Sequence, residues 1–149
     1  MSEKIILMVE DSPNDGILTL RALEKNKVKN RIVVTSGGEH ALDYLFARGE
    51  YEGRDTSAMP DLILLDLNMP KVGGLEVLQQ VRADDRTKLI PVVVFTTSKA
   101  DRDLIDAYNL GVNSYVRKPV DFKEFKRTVE QLEQYWTVLN LPPPRGERY

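Results

Sequence analysis

Cysteine is absent from the 149 residues, which excludes disulfide bonds and thiolate metal sites and leaves a reducing compartment open. Histidine is nearly absent as well: His40 stands alone, inside a stretch with helical spacing, and reads as a surface residue rather than a phosphocarrier. Long apolar runs are missing. The first, Ile5–Val9, is too short for the apolar region of a signal peptide, and no later stretch is long enough to span a bilayer. Charge of one sign is not in excess, since the formal net charge is −2, so nothing broad attracts nucleic acid or an anionic membrane. A soluble, cytoplasmic chain with neither nucleic acid nor membrane among its partners is the expectation.

What is present is the profile of an ordinary globular domain, 42% apolar and 30% charged, long enough to bury a full core. Short apolar runs rich in β-branched residues recur at Ile5–Val9, Arg31–Thr35, Leu62–Leu65, Ile90–Phe95 and Ser114–Val116. Near-continuous apolar strands suit a parallel sheet covered on both faces. Helical patterns lie between them. Ser12 can cap a helix beginning at Pro13, Gly38–Arg48 forms a second, and a third follows Gly73-Gly74 with Leu75, Leu78 and Val81 on one face. Ser98 with Asp101 starts a fourth, which Gly111 ends, and Asp121 with Glu124 caps a fifth. Five strands alternating with five helices predict an α/β fold with a doubly wound, five-stranded parallel sheet. Glu50–Pro60 reads as a long loop, and the prolines from Pro142 to Pro144 make residues 141–149 an extended tail after a single domain over 1–140.

In such a sheet, functional groups collect beyond the carboxyl ends of the strands. The first strand ends in Glu10-Asp11, the third in Asp66, the fourth in Thr96 and the fifth in Lys118-Pro119. Three carboxylates, one hydroxyl and one ammonium therefore converge on one edge. Carboxylates so gathered repel one another, and a hard divalent cation such as Mg²⁺ relieves the repulsion with oxygen ligands. An aspartate oxygen can then attack a phosphoryl group while cation and lysine offset the developing charge, which is most of what phosphoryl transfer needs.

Glu10-Asp11-Ser12, Asp66-Leu67-Asn68-Met69-Pro70 with Gly74-Leu75-Glu76, Thr96, and Tyr115-Val116-Arg117-Lys118-Pro119 together resemble the signature of the CheY-like receiver domains of two-component response regulators. The likeness runs over about residues 4–134, with every motif in order. It implies a (βα)5 flavodoxin-like receiver fold with Asp66 as phosphoacceptor. Asp11 would bind Mg²⁺ directly, Glu10 through water, and the backbone carbonyl of Asn68 would be a further ligand. Thr96 and Tyr115 would be the switch pair, Lys118 would bind the phosphoryl group, and Pro119 would follow a cis peptide bond. The phosphoryl donor would be a sensor histidine kinase. The sequence departs from the common pattern in carrying Glu10 for aspartate and Thr97 for a smaller residue, and in the length of the Glu50–Pro60 loop.

The last helix extends further than the sheet requires. Phe122, Phe125, Val129, Leu132, Trp136 and Leu139 step at heptad spacing, which packing against the chain's own sheet would also give, and a helix reaching Asn140 would be about 30 Å long. Its far end, with Tyr135, Trp136 and Leu139, is expected to project as an apolar contact surface. A homodimer through Phe125, Val129, Leu132, Tyr135, Trp136 and Leu139 follows as an expectation. The long final helix, the loop and the tail are most similar to the small response regulators of cyanobacterial phytochromes, so a phytochrome-type kinase is the implied donor. No output domain is expected, and the signal is expected to leave through an unidentified downstream protein. Two other readings use the same residues. One is a pseudo-receiver that binds partners without phosphorylation. The other is a Mg²⁺-dependent phosphatase with Asp66 as nucleophile, for which Asn68, two residues on, cannot act as the general acid. Asp61, at the other end of the third strand, reads as a solvated strand start.

Overall fold

The computed structural model describes residues 3–25 and 30–144. In chain order the elements are β1 (Lys4–Val9), α1 (Pro13–Lys25), β2 (Asn30–Thr35), α2 (Gly38–Leu45), β3 (Leu62–Leu65), α3 (Gly74–Ala83), β4 (Val92–Thr96), α4 (Asp101–Asn109), β5 (Ser114–Arg117) and α5 (Phe122–Gln134). A 3-10 turn at Gly49–Tyr51 interrupts the long loop, and a π turn at Tyr135–Leu139 continues α5. The strands form one parallel sheet in the order β2-β1-β3-β4-β5. This is the doubly wound five-stranded sheet that the alternation of strands and helices predicts, in the flavodoxin-like order that the resemblance implies.

Both faces of the sheet are covered, which is why its strands read as unbroken apolar runs. Leu7, Val9, Ile63, Leu65, Val92 and Val94 point into one core, lined by α2 and α3. Ile6, Leu62, Leu64, Val93 and Phe95 point into the other, closed by Ala22 and Leu23 of α1 and by Phe125 and Val129 of α5. The chain moves from β1 outward to β2, then returns across β1 to β3 and continues the other way. The topological switch point therefore lies between β1 and β3, and the crevice beyond their carboxyl ends is where a ligand site is expected. Val9 pairs with Leu65, so Glu10 and Asp66 leave the sheet side by side.

Several helix ends depart from expectation for local reasons. Helix α2 stops at Leu45 rather than Arg48 because Ala47 takes a left-handed conformation, φ 53°, which closes the helix. Ser98 does not cap α4: that helix starts at Asp101 after Ala100, and the Ser98 hydroxyl donates instead to Asp103 at 2.6 Å. Gly111 ends α4 at φ 91°, as predicted for a glycine there. Helix α5 is capped by Asp121, whose carboxylate accepts the Glu124 N–H at 3.0 Å. Its α-winding ends at Gln134. The Thr137 hydroxyl donates to the Glu133 carbonyl at 2.6 Å, and the Asn140 N–H reaches Tyr135 O at 2.6 Å, so the last turn winds wider.

Two expectations are corrected. There is no cis peptide bond among the described residues, so Lys118-Pro119 is trans, the form X–Pro bonds favour by about 0.5–1 kcal/mol unless the surroundings select the other. Asp61 is buried at 3% exposure rather than solvated, and its carboxylate accepts the Ile5 N–H at 2.9 Å, tying the start of β3 to β1. The loop before β3 is pinned by Arg54, whose guanidinium donates to the carbonyls of Tyr44, Leu45 and Ala58 and lies 4.1 Å from the centre of the Tyr44 ring. Of the tail, residues 141–144 are described and 145–149 lie outside the described residues.

Candidate functional site

Each group at the crevice is set by the strand before it. Glu10 and Asp11 follow β1, Asp66 follows β3, Thr96 closes β4 and Lys118 follows β5. Backbone bonds continue the ladder one residue past the strands: Asp66 N–H to Val9 O at 3.0 Å, Glu10 N–H to Thr35 O at 3.1 Å, and Lys118 N–H to Thr96 O at 2.7 Å. The side chains are therefore mounted on backbone held by the hydrogen-bonded ladder of the sheet. On the far side of Asp66 the chain folds back against itself. A Cβ on Gly74 would collide with the carbonyl oxygen of Asp66 and the Cα of Leu67, so only glycine lets α3 start this close.

Asp66 is buried, and its Oδ1 accepts the N–H groups of Leu67 at 2.8 Å and Asn68 at 3.4 Å. Its Oδ2 faces the Lys118 ammonium at 3.5 Å. Lys118 Nζ donates to Glu10 Oε1 at 2.5 Å and to Asp15 Oδ2 at 2.9 Å. The other Glu10 oxygen accepts the Ser12 N–H at 3.2 Å. One ammonium thus meets three carboxylates, with Asp11 a fourth nearby. Carboxylate oxygens of Glu10, Asp11 and Asp66 lie within 4.8 Å of one another.

The electrostatics follow from burial and from this surplus of negative charge. Desolvation pushes the Glu10 carboxyl up to about 7; the hydrogen bond from Lys118 opposes the rise and the charge of Asp66 adds to it. Desolvation also works against the Lys118 ammonium, yet its hydrogen bonds to Glu10 and Asp15 and the charges of Asp66 and Glu10 outweigh it and raise its pKa. An all-oxygen set of three carboxylates, crowded so that a cation would relieve their mutual repulsion, fits a hard divalent cation.

The sequence singled out Glu10, Asp11, Asp66, Thr96 and Lys118, and the structure brings all five to the carboxyl edge of the sheet. The Thr96 hydroxyl, fully buried, accepts the Ser98 N–H at 3.3 Å. Tyr115 sits on β5 opposite Val94, its ring against the first core and its hydroxyl buried without a hydrogen-bond partner. Asn68 is exposed beside Asp66. His40 lies away from this edge, on α2, where Nδ1 accepts the Ser36 N–H at 3.1 Å and Nε2 lies 3.0 Å from both the Tyr51 hydroxyl and Glu50 Oε1.

Asp15 was not singled out. It lies in the first turn of α1, where an acidic residue is favoured by the helix dipole whatever its partner. No local signal marks it, because its partner Lys118 lies 103 residues away and only the folded sheet brings the two together. Among the residues expected at a partner contact, Phe125 and Val129 are instead buried in the chain's own second core, and Leu132 and Trp136 pack against it. Heptad spacing here marks the seam with the sheet. Tyr135 and Leu139 remain exposed, at 50% and 69%, joined by Val138.

Comparison with known proteins decides the family. The family model described as the response regulator receiver domain matches residues 6–130. The chain belongs to the response regulator receiver family. It is similar to the probable methanogenesis regulatory protein FilR2 of Methanothrix harundinacea, with 46% identity over 139 residues, 93% of this chain and 87% of that protein. It is similar also to the response regulator Rcp1 of Synechocystis, 40% identical over 140 residues, 93% of both chains. Among solved structures, the phosphorylated cyanobacterial phytochrome response regulator RcpA superposes with a TM-score of 0.89 at 37% identity, covering 96% of this receiver and all of that chain. The Mn²⁺-bound form of Rcp1 superposes with a TM-score of 0.87 at 38% identity, over 95% and 99% of the two chains. This receiver is therefore related to the phytochrome response regulators, and a relative of the same fold holds a divalent cation. No helix among the described residues is long and apolar enough to cross a membrane.

Proposed function

We propose that the chain is a Mg²⁺-dependent phosphorylation switch, with Asp66 accepting a phosphoryl group from a sensor histidine kinase of the phytochrome type. The observation that carries the reading is the setting of Asp66. One carboxylate oxygen is occupied by two backbone N–H groups, and the other faces Lys118 at 3.5 Å beside the Glu10 and Asp11 carboxylates. In transfer, the Oδ2–P bond forms as the N–P bond of the kinase's phosphohistidine breaks, and the imidazole leaves with the electron pair. Asp11 and Asp66 would hold the cation directly, Glu10 through water, and the Asn68 carbonyl would be a further ligand. When bound, the cation offsets the negative charge that develops on the transferring group. Lys118 supplies a fixed positive charge, and the Thr96 hydroxyl a hydrogen bond, to the phosphoryl oxygens.

The output would pass through Thr96 and Tyr115 to the face formed by α4, β5 and α5. Ile105 and Tyr108 on α4 are about half exposed, and Phe122 at the start of α5 more so; this face can meet an unidentified downstream protein. The chain acts as one domain over residues 1–140 with a tail at 141–149, in the cytoplasm. It pairs with a second copy through Tyr135, Leu139 and the adjoining parts of Leu132 and Trp136. The relatedness to RcpA supports the phytochrome pairing.

Transfer from a phytochrome-type histidine kinase autophosphorylated with radiolabelled ATP tests the reading. Label should move to this chain within minutes in Mg²⁺ and not to Asp66→Asn. Label that stays on the kinase, with an authentic response regulator accepting it in parallel, would overturn the pairing.

A further inference from the structure

The Lys118 ammonium has three N–H donors and 2% side-chain exposure, so water cannot satisfy it and each donor needs a protein acceptor. The three acceptors are Glu10, Asp15 and Asp66. Two of these, Glu10 and Asp66, belong to the oxygen cluster that suits a divalent cation, and Asp15 does not. If the cation draws Glu10 and Asp66 toward itself, Lys118 loses hold of two of its three partners. Asp15 is the carboxylate left to it.

The position of Asp15 is itself fixed. It occupies the first turn of α1, where its N–H meets the Ser12 hydroxyl at 3.4 Å and its carbonyl accepts the hydroxyl of the buried Thr19 at 2.8 Å. Its side chain is 29% exposed, so its carboxylate carries less burial cost than those of Glu10 and Asp66.

We propose that Asp15 is a positioning residue for phosphoryl transfer: its carboxylate anchors the Lys118 ammonium beside Oδ2 of Asp66 while the other acidic groups serve the cation. Lys118 then meets the incoming phosphoryl oxygens without having to be recaptured from a mobile state. The inference rests on the reading of Asp66 as phosphoacceptor and adds the group that orients its lysine.

The test uses the full chain and its Asp15→Asn and Asp15→Glu variants. Three quantities are measured: affinity for Mg²⁺ alone, affinity for beryllofluoride as a phosphoryl mimic in saturating Mg²⁺, and the initial rate of phosphorylation by acetyl phosphate. Losing one charged hydrogen bond to the lysine should lower the Asp15→Asn rate and beryllofluoride affinity by about tenfold. Its Mg²⁺ affinity should fall by clearly less, and Asp15→Glu should recover much of the loss. Wild-type rate and beryllofluoride affinity in Asp15→Asn would overturn the proposal. So would a fall in Mg²⁺ affinity as large as the fall for beryllofluoride, which marks a general charge effect. A loss that Asp15→Glu does not reduce marks packing and overturns it equally. A wild-type chain that takes neither phosphoryl nor beryllofluoride refutes the parent reading, and the role of Asp15 falls with it.

Discussion

The same burial acts in opposite ways on Glu10 and Lys118. It pushes the Glu10 carboxyl up to about 7, whereas the lysine, ringed by carboxylates, stays charged. Between the ordinary carboxyl value of 4.5 and about 7, the folded chain keeps a proton on Glu10 that the unfolded chain has released. Stability then falls as pH rises through that window. Lys118 is protonated throughout it in both states and contributes no slope there. Without metal, the melting temperature should therefore decline between about pH 5 and pH 7.5, with Glu10→Gln flattening the decline. Mg²⁺ should raise the melting temperature more at pH 8 than at pH 6, because the ionised carboxylate is the form that serves a cation. Scanning calorimetry over this range checks both; an equal Mg²⁺ effect at the two pH values would contradict the assignment of Glu10.

At the scale of elements, the site depends on how closely α3 approaches the end of β3. Gly74→Ala would drive a methyl group into the Asp66 carbonyl. The expected cost is about 1–3 kcal/mol of overpacking, with phosphoryl acceptance impaired because Asp66 is displaced. Urea denaturation alongside a phosphorylation assay checks this. Helix α5 offers a contrast. Phe125→Ala should cost about 3–5 kcal/mol, since Phe125 fills the second core against Phe95 with ring centres 5.2 Å apart. Leu139→Glu, at a position 69% exposed, should leave the melting curve nearly unchanged. The strands and the Asp121 cap of α5 were legible because apolar runs and cap residues are local signals; β3 begins and ends where its sequence run does. The π turn was not legible, because it depends on Thr137 taking the Glu133 carbonyl, and periodicity alone carries no trace of that bond. Nor could spacing tell that the seam of α5 faces its own sheet.

For the whole molecule, the exposed end of α5 and the crevice at the sheet's carboxyl edge are separate surfaces with separate tests. Sedimentation should give a dimer for the wild-type chain and a monomer for Leu139→Glu, both folded; a monomeric wild type at every concentration would remove the dimer. Five residues of the crevice could be placed from sequence because each ends or follows an apolar strand, and the fold sends strand ends to one edge. Asp15 could not, since its link to Lys118 spans 103 residues and only the closed sheet creates it. Buried Asp61 escaped for the same reason: its partner is the N–H of Ile5 on the neighbouring strand. The central claim is that this edge makes Asp66 a phosphoacceptor, and intact-mass measurement after incubation with acetyl phosphate and Mg²⁺ tests it most directly. The account expects a gain of one phosphoryl group, abolished by chelator and absent from Asp66→Asn. An unmodified wild-type mass, or the same gain in Asp66→Asn, would contradict it.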